Sequence, residues 1–186
     1  MTKRAVVAVD IQNDYFPGGK FPLEGMENAA AKARAVLDAA REGGDLIVHV
    51  RHEFADPGAP FFHPGSDGAM INPAAAPRDG EIVVTKTQVN AFRDTDLQAI
   101  LEKHGVTDVV IVGAMSHMCI DAATRAASDL GYRTTVIADA CATRDLEFQG
   151  TTVPAAHVHA AMMSGLAFGY ATVTDARDWI SAQAAA

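Results

Sequence analysis

The run Val109-Val110-Ile111-Val112, closed by Gly113, constrains the fold more than any other stretch of the chain. Four consecutive β-branched residues without a polar interruption suit a strand covered on both faces, as the strands of a parallel sheet are. From Ile120 onward the pattern changes: Ala122, Ala126 and Leu130 recur at four-residue spacing among good helix formers, and Gly131 is placed to end a helix. Cys119 falls in the turn between the two. Near a helix start, unpaired N–H groups and the positive end of the helix dipole favour a thiolate, the nucleophilic form. A cysteine is equally at home as a small buried hydrophobe, and position alone does not choose between them.

The same alternation runs along the rest of the chain. Strands are expected at Ala5–Val9, Leu46–Val50, Glu81–Thr85, Thr107–Val112, Tyr132–Ala138 and Tyr170–Val173. Helices are expected at about Met26–Glu42, Asp94–Lys103, Ile120–Leu130, Pro154–Gly165 and Asp175–Ala182. Strands alternating with helices predict an α/β fold, a parallel sheet with helices on both faces. With 186 residues and no internal repeat or linker, residues 1–186 read as one domain. One span resists this scheme. Residues 51–80 carry Pro57, Pro60, Pro64, Pro73 and Pro77, and the paired Phe61 and Phe62 imply a lid or pocket wall packed over something.

Composition narrows the possible partners. A formal net charge of −8, with no basic cluster, argues against a nucleic-acid surface. No apolar run approaches the roughly 18 residues that span a membrane, and the five apolar residues before Asp10 are too few for a signal-peptide core. Cys119 and Cys141 have neither metal-ligand spacing nor a disulfide framework. A cytoplasmic protein acting on a small molecule is the expectation, with no nucleic acid and no membrane as partner.

In an open parallel sheet, ligands bind beyond the carboxyl ends of the strands, near the point where strand order reverses. Asp10 follows the first strand, Lys86 the third, and Cys119 the fourth. Taken singly, Asp10 could cap a turn and Lys86 could be a solvated strand-end charge. Together with their surroundings they say more. Asp10-Ile-Gln-Asn-Asp14, Lys86 followed by Ala91-Phe92, and Gly113-Ala-Met-Ser-His-Met-Cys-Ile-Asp-Ala-Ala-Thr124 resemble the isochorismatase-like cysteine hydrolases over nearly the whole chain. That superfamily includes nicotinamidases, N-carbamoyl amidohydrolases and ureidoacrylate hydrolases.

The resemblance implies a three-layer α/β/α fold with a six-stranded parallel sheet in the order 3-2-1-4-5-6. It also implies a triad of Asp10, Lys86 and Cys119, a cis peptide between Ala114 and Met115, and a homo-oligomer. The implied chemistry is hydrolysis of a C–N bond in a small amide or carbamoyl compound through a thioester. Asp10 would take the thiol proton, Lys86 would favour the thiolate, and the backbone N–H groups of Met115 and Cys119 would hold the oxyanion. Two alternatives stay open: a catalytically silent binding protein of the same fold, and an isochorismatase-type vinyl-ether hydrolase. A phosphoryl-accepting receiver fits poorly, because the third strand ends in Lys86 where such a module needs aspartate, and no G-x-G-x-x-G follows the first strand to bind a dinucleotide.

Nicotinamidases of this superfamily bind a metal through an Asp-x-His pair after the second strand. Here that stretch is Val50-Arg51-His52, so no metal and no other cofactor is expected. Tyr15 stands where the family pattern usually has Phe. With Phe16, His52, Phe61, Phe62 and His117 it is a candidate pocket residue, core packing being the default for the aromatic side chains. Phe92 joins the pocket-wall candidates with core packing as its default, Asp14 reads equally as a turn residue or a functional one, Arg51 as a surface charge or a partner for an acidic group, Cys141 as core, and His157 and His159 as structural or interfacial groups on a late helix.

Overall fold

The computed structural model describes residues 3–184. β1 (Arg4–Val9), β2 (Leu46–His52), β3 (Ile82–Lys86), β4 (Asp108–Ala114), β5 (Arg133–Ala142) and β8 (Thr172–Thr174) form one sheet in the order β3-β2-β1-β4-β5-β8, with every pairing parallel. This is the expected 3-2-1-4-5-6 order. The sixth strand takes the number eight because a small antiparallel hairpin, β6 (Leu146–Phe148) and β7 (Thr151–Val153), comes before it.

Successive residues of each strand face opposite layers. On β1, Val6 and Ala8 pack against α1 (Met26–Glu42) and α5 (Ala176–Ala184), while Ala5, Val7 and Val9 join the core under α2 (Leu97–Lys103), α3 (Asp121–Asp129) and α4 (Ala155–Gly169). At the centre of the sheet both faces are covered, which explains why β1 and β4 read as unbroken apolar runs. On α1, Val36 and Leu37 are wholly buried, and burying such a side chain contributes roughly 1.5–3 kcal/mol.

Several boundaries differ from expectation. β5 runs on past Ala138 to Ala142, with a register shift in its pairing to β4 between Ile111 and Gly113. α2 begins at Leu97 rather than Asp94, and α4 extends to Gly169 rather than Gly165. The 51–80 span is ordered: it holds short helical turns at Asp67–Ala69 and Pro73–Ala75, and Ile71 bridges back to Gln12. No helix among the described residues is long and apolar enough to cross a membrane.

Candidate active site

The β1–β4 pairing builds the floor of the site. Val9 and Gly113 are register partners, and Gly113 sits at φ +125°, where a Cβ would lie 1.9 Å from the Val9 carbonyl oxygen. Only glycine lets the two strand ends approach this closely. Beyond them, Asp10 adopts φ +53° and donates its backbone N–H to Val50 O at 2.8 Å, while the Ala114–Met115 peptide is cis. Cys119 does not stand at a plain helix start. It lies within a π-helical turn, Ser116–Ile120, that runs directly into α3.

His52 and Lys86 are register partners on β2 and β3, so both side chains leave the sheet on the same side. This alignment lets Lys86 reach past β2. Its Nζ lies 2.9 Å from Asp10 Oδ2, 3.2 Å from Cys119 Sγ, 2.8 Å from His52 Nδ1 and 3.1 Å from Gln88 O. Asp10, His52, Lys86 and Cys119 are all buried, with Asp10 wholly inaccessible. An ammonium has three hydrogens, and well-formed bonds to His52 Nδ1, Gln88 O and Cys119 Sγ use all of them. Asp10 is thus held as a charge partner, and neither of its oxygens has a well-formed hydrogen bond. Both oxygens of this buried carboxylate are therefore free to accept a hydrogen bond.

Burial pushes the Cys119 thiol well above the ordinary cysteine range, the Asp10 charge adds to the shift, and Lys86 offsets it only in part. Burial and the nearby carboxylate thus oppose the thiolate that a helix start by itself would favour. Burial opposes the Lys86 ammonium, but Asp10 and Cys119 outweigh burial and leave its pKa raised. His52 is lowered to about 4 by burial and then by Lys86.

The other expected residues divide. Tyr15 is buried among Phe21, Phe61 and Phe62, and burial, then Asp10 and Cys119, hold its hydroxyl well above the ordinary tyrosine pKa. Of the expected lid or pocket wall, burial of Phe61 and Phe62 fits the wall: the Phe62 ring packs against Tyr15 and its centroid lies 6.2 Å from that of His52. Phe16 is not brought to the cluster. It lines an open cleft of about 560 Å³ with Asp14, Lys20 and Gly68, and none of Asp10, Lys86 and Cys119 faces that cleft. His117 turns to Thr143 Oγ1 at 2.6 Å, and burial and Arg144 lower its pKa.

Asp14 is structural, accepting the Phe62 N–H at 2.8 Å and the Lys20 N–H at 3.1 Å with Gly68 pressed against its carboxylate. Arg51 bridges Thr85 and Glu53 on the outer side, and His49 bonds Glu81 in a separate network with Arg41. Cys141 is free and buried in the core.

Gln12 escaped the sequence reading, and His159, expected only as a structural or interfacial group, takes a defined place. Gln12 is wholly buried, accepts the His52 N–H at 2.7 Å and donates to His52 O and Ala69 O, both at 2.8 Å. Its signal was a polar amide in line with buried Asp10, just past the end of β1. His159 on α4 bonds Ser116 Oγ of the cysteine turn at 2.8 Å, a contact that no local pattern announces.

Asp10, His52 and Cys119 offer ligand atoms within 4.8 Å of one another, a spacing a metal ion could use. The Lys86 ammonium already stands among all three, so a divalent cation would meet a positive charge at its own position. The donor set does not fit a metal.

Comparison with known proteins adds the following. The family model described as "Isochorismatase domain" matches residues 4–178. The crystal structure of a putative isochorismatase hydrolase from Oleispira antarctica superposes with a TM-score of 0.93 at 56% identity, covering 97% of both chains. An uncharacterized isochorismatase family protein of Bacillus subtilis is 44% identical over 91% of this chain and 94% of its own. The maleamate amidohydrolase of Pseudomonas putida is 34% identical over 73% of this chain and 70% of its own.

Proposed function

Since this chain belongs to the isochorismatase family, we propose that it is a cysteine-dependent hydrolase that cleaves a C–N bond of a small amide or carbamoyl compound through a thioester on Cys119. The observation that carries this reading is the placement of Lys86 Nζ between Asp10 and Cys119 in a buried site, with the Asp10 oxygens ion-paired but without a well-formed hydrogen bond. The maleamate amidohydrolase among its relatives supports the C–N bond as the target.

The thiol gives its proton to Asp10 as Sγ attacks the substrate carbonyl carbon, so charge separation occurs only when a substrate is present. Lys86 steadies the thiolate as it forms. The backbone N–H groups of Met115 and Cys119 receive the oxyanion; loss of one such donor typically costs about 10²–10³ in rate. Collapse expels the amine, which leaves with the proton from Asp10. Water deprotonated by the same carboxylate then cleaves the thioester and regenerates the thiol. No step calls for a metal.

Asp10, His52, Lys86 and Cys119 are buried within a single chain. α4 carries no charged residue over Ala155–Gly169, and Phe168 on it is 95% exposed. An uncharged face adds no local like-charge contact between two copies that each carry a net charge of −8, so we assign this face to a homo-oligomer contact. The two free cysteines fit a reducing, cytoplasmic setting.

The test is an ammonia-release screen of small amides, ureas and carbamoyl compounds with Cys119→Ala as the blank. Release by the wild-type chain alone is the expected result; equal release by both rejects the assignment.

A further inference from the structure

One polar atom in the site has no use in the mechanism above. His52 Nε2 is buried and has no hydrogen-bond partner among the described residues. Its protonation follows from the other side of the ring. Lys86 Nζ can only donate, so the 2.8 Å contact to Nδ1 makes Nδ1 the acceptor. A ring that accepts at Nδ1 while neutral carries its hydrogen at Nε2. The low pKa of His52, about 4, keeps the ring in that neutral form at ordinary pH.

The donor cannot readily move to find a partner elsewhere. Gln12 clamps the His52 backbone on both sides, accepting its N–H at 2.7 Å and donating to its carbonyl at 2.8 Å. Phe54, with its ring centroid 4.2 Å from that of the imidazole, and Phe62 at 6.2 Å flank the ring and offer no acceptor. A fixed, buried and unsatisfied N–H, on a ring that offers a nitrogen within 4.8 Å of the Cys119 sulfur, is rare in folded proteins, and its need is met when a ligand supplies an oxygen.

We propose that His52 is a specificity-determining residue whose Nε2–H donates to the substrate, and that the substrate therefore carries a second oxygen acceptor, a carbonyl or carboxylate, beside the C–N bond that is cut. This rests on the reading of Cys119 as nucleophile. An amide lacking that oxygen leaves the donor unpaired and binds less well, whereas a second amino group in its place meets a donor with a donor and is rejected.

Two measurements test it. In protein labelled with ¹⁵N at histidine, the His52 signals, identified by their loss in His52→Gln, are expected to show a bare Nδ1 and a protonated Nε2 at neutral pH; the opposite tautomer or an imidazolium overturns the proposal. In the second, ammonia release is compared for matched pairs, succinamic acid against butyramide and N-carbamoylglycine against ethylurea. The wild-type chain is expected to favour the acid of at least one pair by about 10- to 100-fold in kcat/KM, the scale of one hydrogen bond to a buried group. His52→Leu is expected to erase the preference, chiefly through KM, and His52→Gln, which keeps a side-chain N–H, to restore much of it. Equal losses on both members of a pair reduce His52 to a structural part and overturn the proposal. No release from any compound, with the expected tautomer seen, rejects the Cys119 reading and the substrate assignment with it, while leaving the donor state of His52 established.

Discussion

The carbonyl of Val9 lies where the Cβ of any residue but glycine at position 113 would stand, at a distance of 1.9 Å. That contact joins the end of β1, which delivers Asp10, to the end of β4, which delivers the Cys119 turn. Gly113→Ala must therefore separate the strand ends and also abandon a φ of +125°. The expected cost is about 2–5 kcal/mol, combining backbone strain and overpacking. Denaturant unfolding measures it, and a variant as stable as the parent would show that the strand ends tolerate separation.

Lys86 and Asp10 form a wholly buried pair at 2.9 Å. Lys86→Met leaves the Asp10 carboxylate buried without its cation, a loss of about 3–5 kcal/mol. Adding Asp10→Asn to that variant removes the stranded charge and is expected to recover part of the loss. A double-mutant cycle in urea checks this; strictly additive losses contradict the pairing.

Much of this arrangement was legible before any coordinates. β1, β2 and β4 announced themselves because a strand covered on both faces has no polar face to interrupt it. Asp10, Lys86 and Cys119 were expected together from the resemblance of their motifs, since strand-end position alone left a bland reading for each, and their side chains do meet. The hairpin was not legible: Leu146–Phe148 and Thr151–Val153 are three residues each and largely exposed, and the turn between them is Gln149-Gly150, both at positive φ. Gln-Gly is a weaker signal for such a turn than Asn-Gly. The far half of β5, Ala138-Asp-Ala-Cys-Ala142, has no β-branched residue to mark it, and its Asp139 accepts the Ala176 N–H at the start of α5. Gln12 and the donor state of His52 depend on segments about 40 residues apart meeting, which no local pattern records.

Asp14 ties the 51–80 span to the turn after β1 through its bond to the Phe62 N–H. Asp14→Ala strands that buried N–H and is expected to cost about 1–3 kcal/mol. Limited proteolysis between residues 55 and 70 should accelerate in the variant; unchanged cleavage would mean that the aromatic contacts of Phe61 and Phe62 hold the span unaided.

Acid should act through Glu81 as well. Burial opposes its ionised form, but hydrogen bonds from Arg41, the Arg78 backbone and His49 outweigh burial and bring its pKa from 4.5 to about 2. Because the folded value is depressed, its stabilisation is present above pH 4.5 and is lost as pH falls toward 2. The stability gap between the parent and Glu81→Gln is expected to narrow across that window. A gap independent of pH contradicts the network.

The central claim is a covalent bond at Cys119. Intact-protein mass spectrometry, after acid quenching of the enzyme in steady turnover of its best amide, reads that bond directly. The account predicts an added mass equal to the acyl portion of the substrate, localised by peptide mapping to Cys119, with both adduct and turnover absent in Cys119→Ala. Turnover sustained by Cys119→Ala, with no adduct on the parent, would contradict it.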